Sequence, residues 1–502
     1  MRLFCFKQAI IVICGMAVAG CSHPATEAHR PAFHFSPRSN WMNDPNGMYY
    51  HDGVYHLFFQ HYPEATHWGP MHWGHATSPD MINWKEEPIA LYPDSLGYIF
   101  SGSAVVDIHN TSGFGKDGQV PVVAVYTNHD PAGEREKRTD YQTQSIAYSL
   151  DNGKSWVKYA GSPVVKNPGI VDFRDPKVMW YEPLKKWIMT LATKDRITFY
   201  SSSDLKEWHK ESEFGETLGA HGGVWECPDL LRLDHEGKEV WALLVSINPG
   251  APNGGSGTQY FLGEFDGHAF SPADTLVRWL DLGTDNYAGV TFSNTGNRTI
   301  LMGWMSNWQY AQAVPTEKFR SAMTLPRELG LKSAGNRLYL TSTPVKEVGG
   351  LSGRAEVLNK VTVDKSYTVT SGGRGLFDLE LRDVPAENFS ISLGNSKGEE
   401  LIIGYDKASN RYYIDRTRSG NTGFEPGFGK VHAAPRLAGG NRINLRLVAD
   451  VASVELFADD GLNAMTDIFF PGEPYSKITI TAPDILVIGA LKFSEMKPAR
   501  LR

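Results

Sequence analysis

The chain has 502 residues, 41% hydrophobic and 12% aromatic, enough for a large core spread over more than one domain. With 49 Lys+Arg against 56 Asp+Glu the charge is mixed, and no basic stripe points to a nucleic-acid partner. Its 50 glycines and 13 tryptophans suit many short strands joined by tight turns.

Residues 1–20 read as a lipoprotein signal peptide, not as structure. Arg2 and Lys7 form a charged start, and the apolar stretch from Ala9 to Ala19 is too short for a stable membrane span. It ends in Val18-Ala19-Gly20-Cys21, small residues before a Cys, which resembles a bacterial lipoprotein processing site. Cys21 is then the lipidated first residue of the mature chain; an ordinary secretory signal with an incidental Cys21 is the competing reading. Cys5 and Cys14 leave with the leader, so Cys227 alone remains and no intrachain disulfide is expected. No later stretch is apolar enough to cross a membrane. The expectation is an exported bacterial lipoprotein, at the cell surface or on the periplasmic face of the outer membrane, touching lipid only through its anchor. Residues 21–32 are small, polar and Pro-containing, and read as a tether.

From Phe33 onward, short β-branched and aromatic runs bounded by Gly, Pro, Asn or Asp read as strands. Examples are 54–62, 120–128, 145–150, 177–182, 186–193, 196–203, 240–247, 258–265 and 299–305. Almost nothing shows a sustained helical period. A weak repeat runs through this region: Ser78-Pro-Asp80 before Trp84, Ser149-Leu-Asp151 before Trp156, and Ser202-Ser-Asp204 before Trp208. Three copies between strands suggest one repeated four-stranded unit, and radial repetition of such units makes a propeller. Trp is absent after 308, and alternating strands at 361–370, 376–384, 389–395, 443–450, 453–459 and 486–495 read as an antiparallel β-sandwich. The expected fold is all-β: a propeller over 33–340, a linker at 341–354 and a sandwich over 355–502.

Three acids keep unusual company: Asp44 in WMNDPNG, Asp175 in DFRDPKV and Glu226 in GGVWECPDL. Asp44-Pro45-Asn46-Gly47 also carries a tight-turn signal, so that segment is expected to reverse the chain. A lone Asp-Pro is most simply a turn carboxylate. In a propeller, however, strands far apart in sequence converge at one mouth. His67, His72 and His75 in HWGPMHWGH raise the question of zinc, but their spacing does not match HExxH and no helix is expected there, so no metal or cofactor is read.

WMNDPNG, FRDPKV and WECPDL, in that order, closely resemble the three acidic motifs of glycoside hydrolase family 32, the invertases, inulinases and levanases. FFQHYP (58–63), HWGPMHWGHATS (67–78), IFSGSAVVD (99–107), NYAGVTF (286–292) and GWMSNWQY (303–310) resemble its bacterial levanase branch. The resemblance implies a five-bladed propeller followed by a β-sandwich. It implies a retaining β-fructofuranosidase in which Asp44 is the nucleophile, Glu226 the general acid/base and Asp175 a third acid holding sugar hydroxyls. Glu226 is expected to sit partly buried near Trp225, which would favour its protonated form. Asn43, Gln60, Trp68, Phe100, Ser101 and Arg174 match substrate-binding positions of the family, and Trp41, Tyr287 and Trp304 are candidate apolar platforms for a furanose. Cys227 is expected to fill space beside Glu226, since no activating base is indicated.

The substrate implied is a fructan or fructo-oligosaccharide, levan (β-2,6) first, with inulin (β-2,1) and sucrose as alternatives; exo or endo cleavage stays open. The charged stretch 130–142 is a candidate rim loop. A non-catalytic glycan-binding lipoprotein would lack one of the acids. Propeller hydrolases of arabinan or β-xylosides share the three-acid arrangement but not WMNDPNG.

Overall fold

The computed structural model describes residues 27–370, 373 and 375–500; the leader and Cys21 lie outside the described residues. Five sheets, antiparallel apart from one short parallel pairing, follow one another along residues 40–344. Their first strands are Asn40–His51, Tyr98–Val106, Phe173–Tyr181, Val224–His235 and Tyr287–Thr291. Each of these packs on the next, and the fifth returns to the first. That closed ring is a five-bladed β-propeller with the first strands innermost. Phe319–Arg320 adds in parallel to Asn40 and Trp41, so a late segment ties the last blade to the first.

The Ser-x-Asp repeat marks the turn between the third and fourth strands of blades one to three. Asp80 Oδ1 accepts the amides of Ile82 (3.0 Å) and Asn83 (2.7 Å), and Asp204 Oδ1 accepts those of Lys206 and Glu207 (2.9 Å each). In blade two Asp151 Oδ1 accepts Ser155 N at 2.9 Å. Each carboxylate satisfies amides that the turn would otherwise leave unpaired. Blade four keeps only the aspartate: Asp266 Oδ1 accepts the amides of His268 and Ala269 at 2.8 Å each. With no Ser or Trp beside it, that copy is invisible in the sequence.

The C-terminal part is a β-sandwich of two six-stranded sheets around Leu379, Leu381, Ile391, Ile403, Leu445 and Ile478. One sheet presses Val448, Phe457 and Ala464 into the propeller's own apolar cluster. The same seam holds buried ion pairs. Arg327 reaches Asp281 (2.8 Å) and Glu455, Arg416 reaches Asp285 (2.7 Å), and His34 lies between Asp450 (2.7 Å) and Glu455 (2.8 Å). Removing these charges from water is costly, and only full pairing offsets it.

Four details depart from the sequence reading. Asn40–His51 is one continuous strand, so Asp44-Pro45-Asn46-Gly47 does not reverse the chain. Residues 27–32 are docked rather than free: Arg30 hydrogen-bonds Ser36 and the carbonyls of Pro37 and Arg38, and Ala32 N donates to Asp450 Oδ1 at 2.8 Å. The stretch 341–354 is not a loose linker, because Thr341–Pro344 ends a blade strand and Val345, Val348 and Leu351 are buried against the propeller. Finally 361–370 is two strands, broken at Asp364-Lys365, where Lys365 adopts a left-handed φ of 64°.

Candidate active site

Every innermost strand carries a β-bulge, and the five bulges lie at equivalent heights near the strand starts. In each, two residues face one on the neighbouring strand: Asn43-Asp44, Phe100-Ser101, Asp175-Pro176, Cys227-Pro228 and Ala288-Gly289. A bulge leaves a residue out of the ladder and re-aims side chains, and it tolerates a proline that cannot donate. Pro176 and Pro228 sit inside such bulges, whereas Pro45 follows its bulge and stands opposite Phe59. Asp175 (φ 63°), Cys227 (φ 44°) and Ala288 (φ 52°) all adopt left-handed backbone there. Such conformations cost energy for residues other than glycine and cluster at functional sites. The first of these strands has a second bulge further on, Gly47-Met48 opposite Leu57, which Gly47 permits: its φ is 55°, and a Cβ on it would lie 2.6 Å from the Trp73 ring.

The bulges bring the three acids to one cavity of about 310 Å³. Asp44 Oδ1 accepts from Asn43 Nδ2 (3.0 Å), and its Oδ2 from Ser101 Oγ (2.8 Å). Burial, then the charge of Glu226, pushes its pKa up to about 6 against those hydrogen bonds. Asp175 Oδ2 accepts the Cys227 amide at 3.0 Å, and the Cys227 Sγ lies 3.6 Å from both Asp44 and Asp175. Burial first, opposed by Arg174 and reinforced by Glu226 and Asp44, raises the pKa of Asp175. Burial and these three acids hold the thiol far above its usual range, so Cys227 is a neutral filler and no nucleophile.

Glu226 is held at both oxygens. Arg174 Nη2 donates to Oε1 at 2.9 Å, and the Tyr287 hydroxyl donates to Oε2. Arg174 is fixed by Asp172 at 2.5 Å on its other side. Trp225, expected beside Glu226, turns into the blade core instead, and its indole N–H meets the Ala220 carbonyl at 2.9 Å.

Asn43, Gln60, Trp68, Phe100, Ser101 and Arg174 all line the cavity with the acids. Trp41, Tyr287 and Trp304 do not. Trp41 and Trp304 are fully buried and back Trp308, with ring centroids 5.8 Å and 4.9 Å from it. Trp308 is a second indole on the wall beside Trp68, and sequence reasoning missed it. It sits just past the strand Ile300–Met305, where no alternation signals its direction. Gln312, Asn248, His129, Tyr141 and Asp172 also reach the cavity. The rim stretch contributes Glu134 from the short helix Pro131–Arg135. His129 packs under Phe100 (4.2 Å, 9°) and contacts Glu134 at 3.2 Å.

His67, His72 and His75 serve three different surroundings. His67 is exposed, His72 meets the Pro70 carbonyl at 2.9 Å, and His75 stacks on Phe58 at 4.2 Å. A larger cavity of about 770 Å³ opens at later positions of the inner strands, around Val105, Lys177, Asp229 and Thr291, and carries none of the three acids.

Three carboxyl groups, an arginine and apolar rings around a small cavity form the apparatus of a glycosidase. A family model described as the glycosyl hydrolases family 32 N-terminal domain matches residues 34–342, and one for the family's C-terminal domain matches 349–490. The chain belongs to glycoside hydrolase family 32 and is a fructofuranosidase of that family. It is 46% identical to a levanase of Bacillus subtilis, covering 89% of this chain and 67% of that protein. It is 39% identical to an extracellular exo-inulinase of Aspergillus niger, covering 92% of this chain and 93% of that one. Among solved structures, an exo-inulinase from Aspergillus awamori superposes with a TM-score of 0.86 at 36% identity, over 94% of this chain and 99% of that chain. A fructofuranosidase from Schwanniomyces occidentalis, complexed with fructose, gives 0.87 at 34% identity, over 95% and 100%.

Proposed function

We propose that this enzyme removes terminal fructosyl units from fructan, β-2,6-linked levan first, with retention of configuration. The carrying observation is the convergence of Asp44, Asp175 and Glu226, from three different innermost strands, on one cavity. Asp44 attacks the anomeric carbon while Glu226 donates its proton to the departing glycosidic oxygen. The fructosyl–Asp44 ester is then hydrolysed by a water that Glu226 deprotonates. This sequence requires carboxyl groups about 5–5.5 Å apart. Asp175 accepts hydrogen bonds from sugar hydroxyls and stabilises charge developing on the ring. The hydrogen bonds of Arg174 and Tyr287 to Glu226 support a donor held in one orientation.

Levan is favoured by the likeness to the levanase, and chain-end attack by the likeness to exo-inulinases and by a cavity at the small end of ligand sites. Glu134, Tyr141 and Gln142 of the rim stretch border that cavity. Thin-layer or anion-exchange analysis of early products tests both points. Fructose alone, released faster from levan than from inulin or sucrose, is expected. An early oligosaccharide ladder overturns the chain-end reading, and faster release from inulin overturns the linkage.

Export fits the relatives described as extracellular. We also infer lipidation of Cys21. A Cys21→Ala chain should lose incorporation of labelled palmitate and leave the membrane fraction; unchanged incorporation refutes it.

A further inference from the structure

The outward face of the sandwich's second sheet carries a feature that the catalytic reading does not use. On that sheet Ser390, Gly404 and Tyr413 stand side by side on three consecutive strands, with Thr481 on the fourth. A Cβ on Gly404 would lie 2.5 Å from the Tyr413 hydroxyl oxygen. A tyrosine standing upright from the next strand would put its hydroxyl several ångströms above the sheet. Tyr413 therefore lies down across the neighbouring strand, and only glycine leaves room for it. Its ring is half-buried, with Cζ and the hydroxyl lying over Gly404.

Around the ring is a cavity of about 520 Å³ bordered by Asn388, Ser390, Asp406, Thr481 and Pro483. Ser390 and Thr481 share a hydrogen bond of 2.7 Å, and Asn388 and Asp406 are fixed by amides of the 407–409 turn. The polar groups are thus pre-set and, apart from Asp406, uncharged. A flat aromatic face ringed by hydroxyl and amide groups suits a neutral, polyhydroxylated ligand: the ring covers the apolar C–H face of a sugar, and the rim meets its hydroxyls. No cation among these lining residues recruits an anionic ligand.

We propose that Tyr413 and its rim form a second, non-catalytic saccharide site that holds a fructan chain. This rests on the fructan reading above. The platform lies on the sandwich, while the acids lie at the propeller mouth, so it cannot take part in bond cleavage. Its use is to keep a long polymer near the enzyme between cuts, raising the effective concentration of chain ends.

The test uses native affinity electrophoresis of the full chain with Asp44→Asn, so that the polymer survives, in gels containing levan, inulin or dextran. The Asp44→Asn protein is expected to be retarded by levan, and the Asp44→Asn/Tyr413→Ala protein to lose that retardation. In parallel, the single variant Tyr413→Ala should hydrolyse sucrose as the parent does while its apparent KM for levan rises, which shows that the fold and catalytic site are intact. Equal retardation of the two proteins, or none of either, overturns the proposal. Retardation by dextran but not levan overturns its fructan assignment. Failure of the catalytic reading would appear separately, as absent hydrolysis of any fructoside by the parent chain. A Gly404→Val variant, which fills the bed of the ring, should reproduce the Tyr413→Ala loss; unaltered retardation by levan in Asp44→Asn/Gly404→Val likewise counts against the site.

Discussion

The backbone amide of Cys227 donates to Asp175 Oδ2 at 3.0 Å. The residue that follows one acid in sequence thereby holds a second acid from the neighbouring blade. Glu226 and Asp175 are fixed relative to each other through backbone rather than through flexible side chains. Precision of this kind is what proton donation and nucleophilic attack on one sugar demand.

Replacing Glu226 by Gln removes the proton donor but keeps its shape and one acceptor for Arg174. Hydrolysis of levan should fall by about 10²–10⁴ in kcat, the range of a positioned acid/base. Substrates with a good leaving group, which need little protonation, should lose much less. Comparable losses on both kinds of substrate would refute the donor role.

Asp44 must be ionised to attack, and its pKa stands at about 6. Activity should therefore fall as pH drops through about 6. The linkage to stability has the opposite sense. The folded chain holds this proton more tightly than the unfolded one, whose Asp titrates near 3.9, so stability decreases as pH rises from about 4 to 6. Asp44→Asn should then be inactive yet more stable at pH 7, by up to about 2–3 kcal/mol and less to the extent that water enters the cavity. Thermal melts at pH 7 and pH 4 check this: the gain should be present at the first and absent at the second.

His34 sits between Asp450 and Glu455 in the seam between propeller and sandwich. Burial alone would lower its pKa, but hydrogen bonds to both acids raise it to about 9. Its contribution to stability is complete below about 6.5 and disappears as pH climbs through about 9. His34→Gln leaves the buried Asp450 without its cation, while Glu455 keeps Arg327, and should cost about 3–5 kcal/mol near pH 6. Denaturant midpoints at pH 6 and pH 9.5 should differ in the parent and converge in the variant.

Gly47→Ala places a methyl group 2.6 Å from the Trp73 ring and forces a side chain onto a φ of 55°. We expect a loss of about 1–3 kcal/mol together with lowered activity, because the same strand carries Asp44. Circular dichroism melts and kcat on sucrose measure the two effects.

Much of this architecture was legible because strands announce themselves by composition. The runs at 54–62 and 186–193 coincide with strands Val54–Tyr62 and Lys186–Thr193. The Ser-x-Asp turns exposed the blade period because their residue types do one local job. The misread features are those in which a local signal yielded to long-range contacts. Pro-Asn-Gly after Asp44 spells a turn in isolation, yet pairing with Val54–Tyr62 before and after it carries the strand through and turns the irregularity into bulges. Residues 27–32 look like linker because their partners, Asp450, Phe319 and Phe470, lie hundreds of positions away. Trp41 and Trp304 were recognisable as aromatic but not as the layer behind Trp308, since burial depth depends on which ring arrives from elsewhere.

The docked segment near the start of the described chain has a consequence of its own. Ala499 N donates to the Ala32 carbonyl at 2.9 Å, and Arg500 N to Asn83 Oδ1 at 2.9 Å. The end of the chain is thereby tied both to the docked opening segment and, through Asn83, to the first blade. The first and last described segments meet at one seam, with Ala32 and Ala499 in direct contact. Loosening either segment therefore loosens the other, although they lie at opposite ends of the described chain.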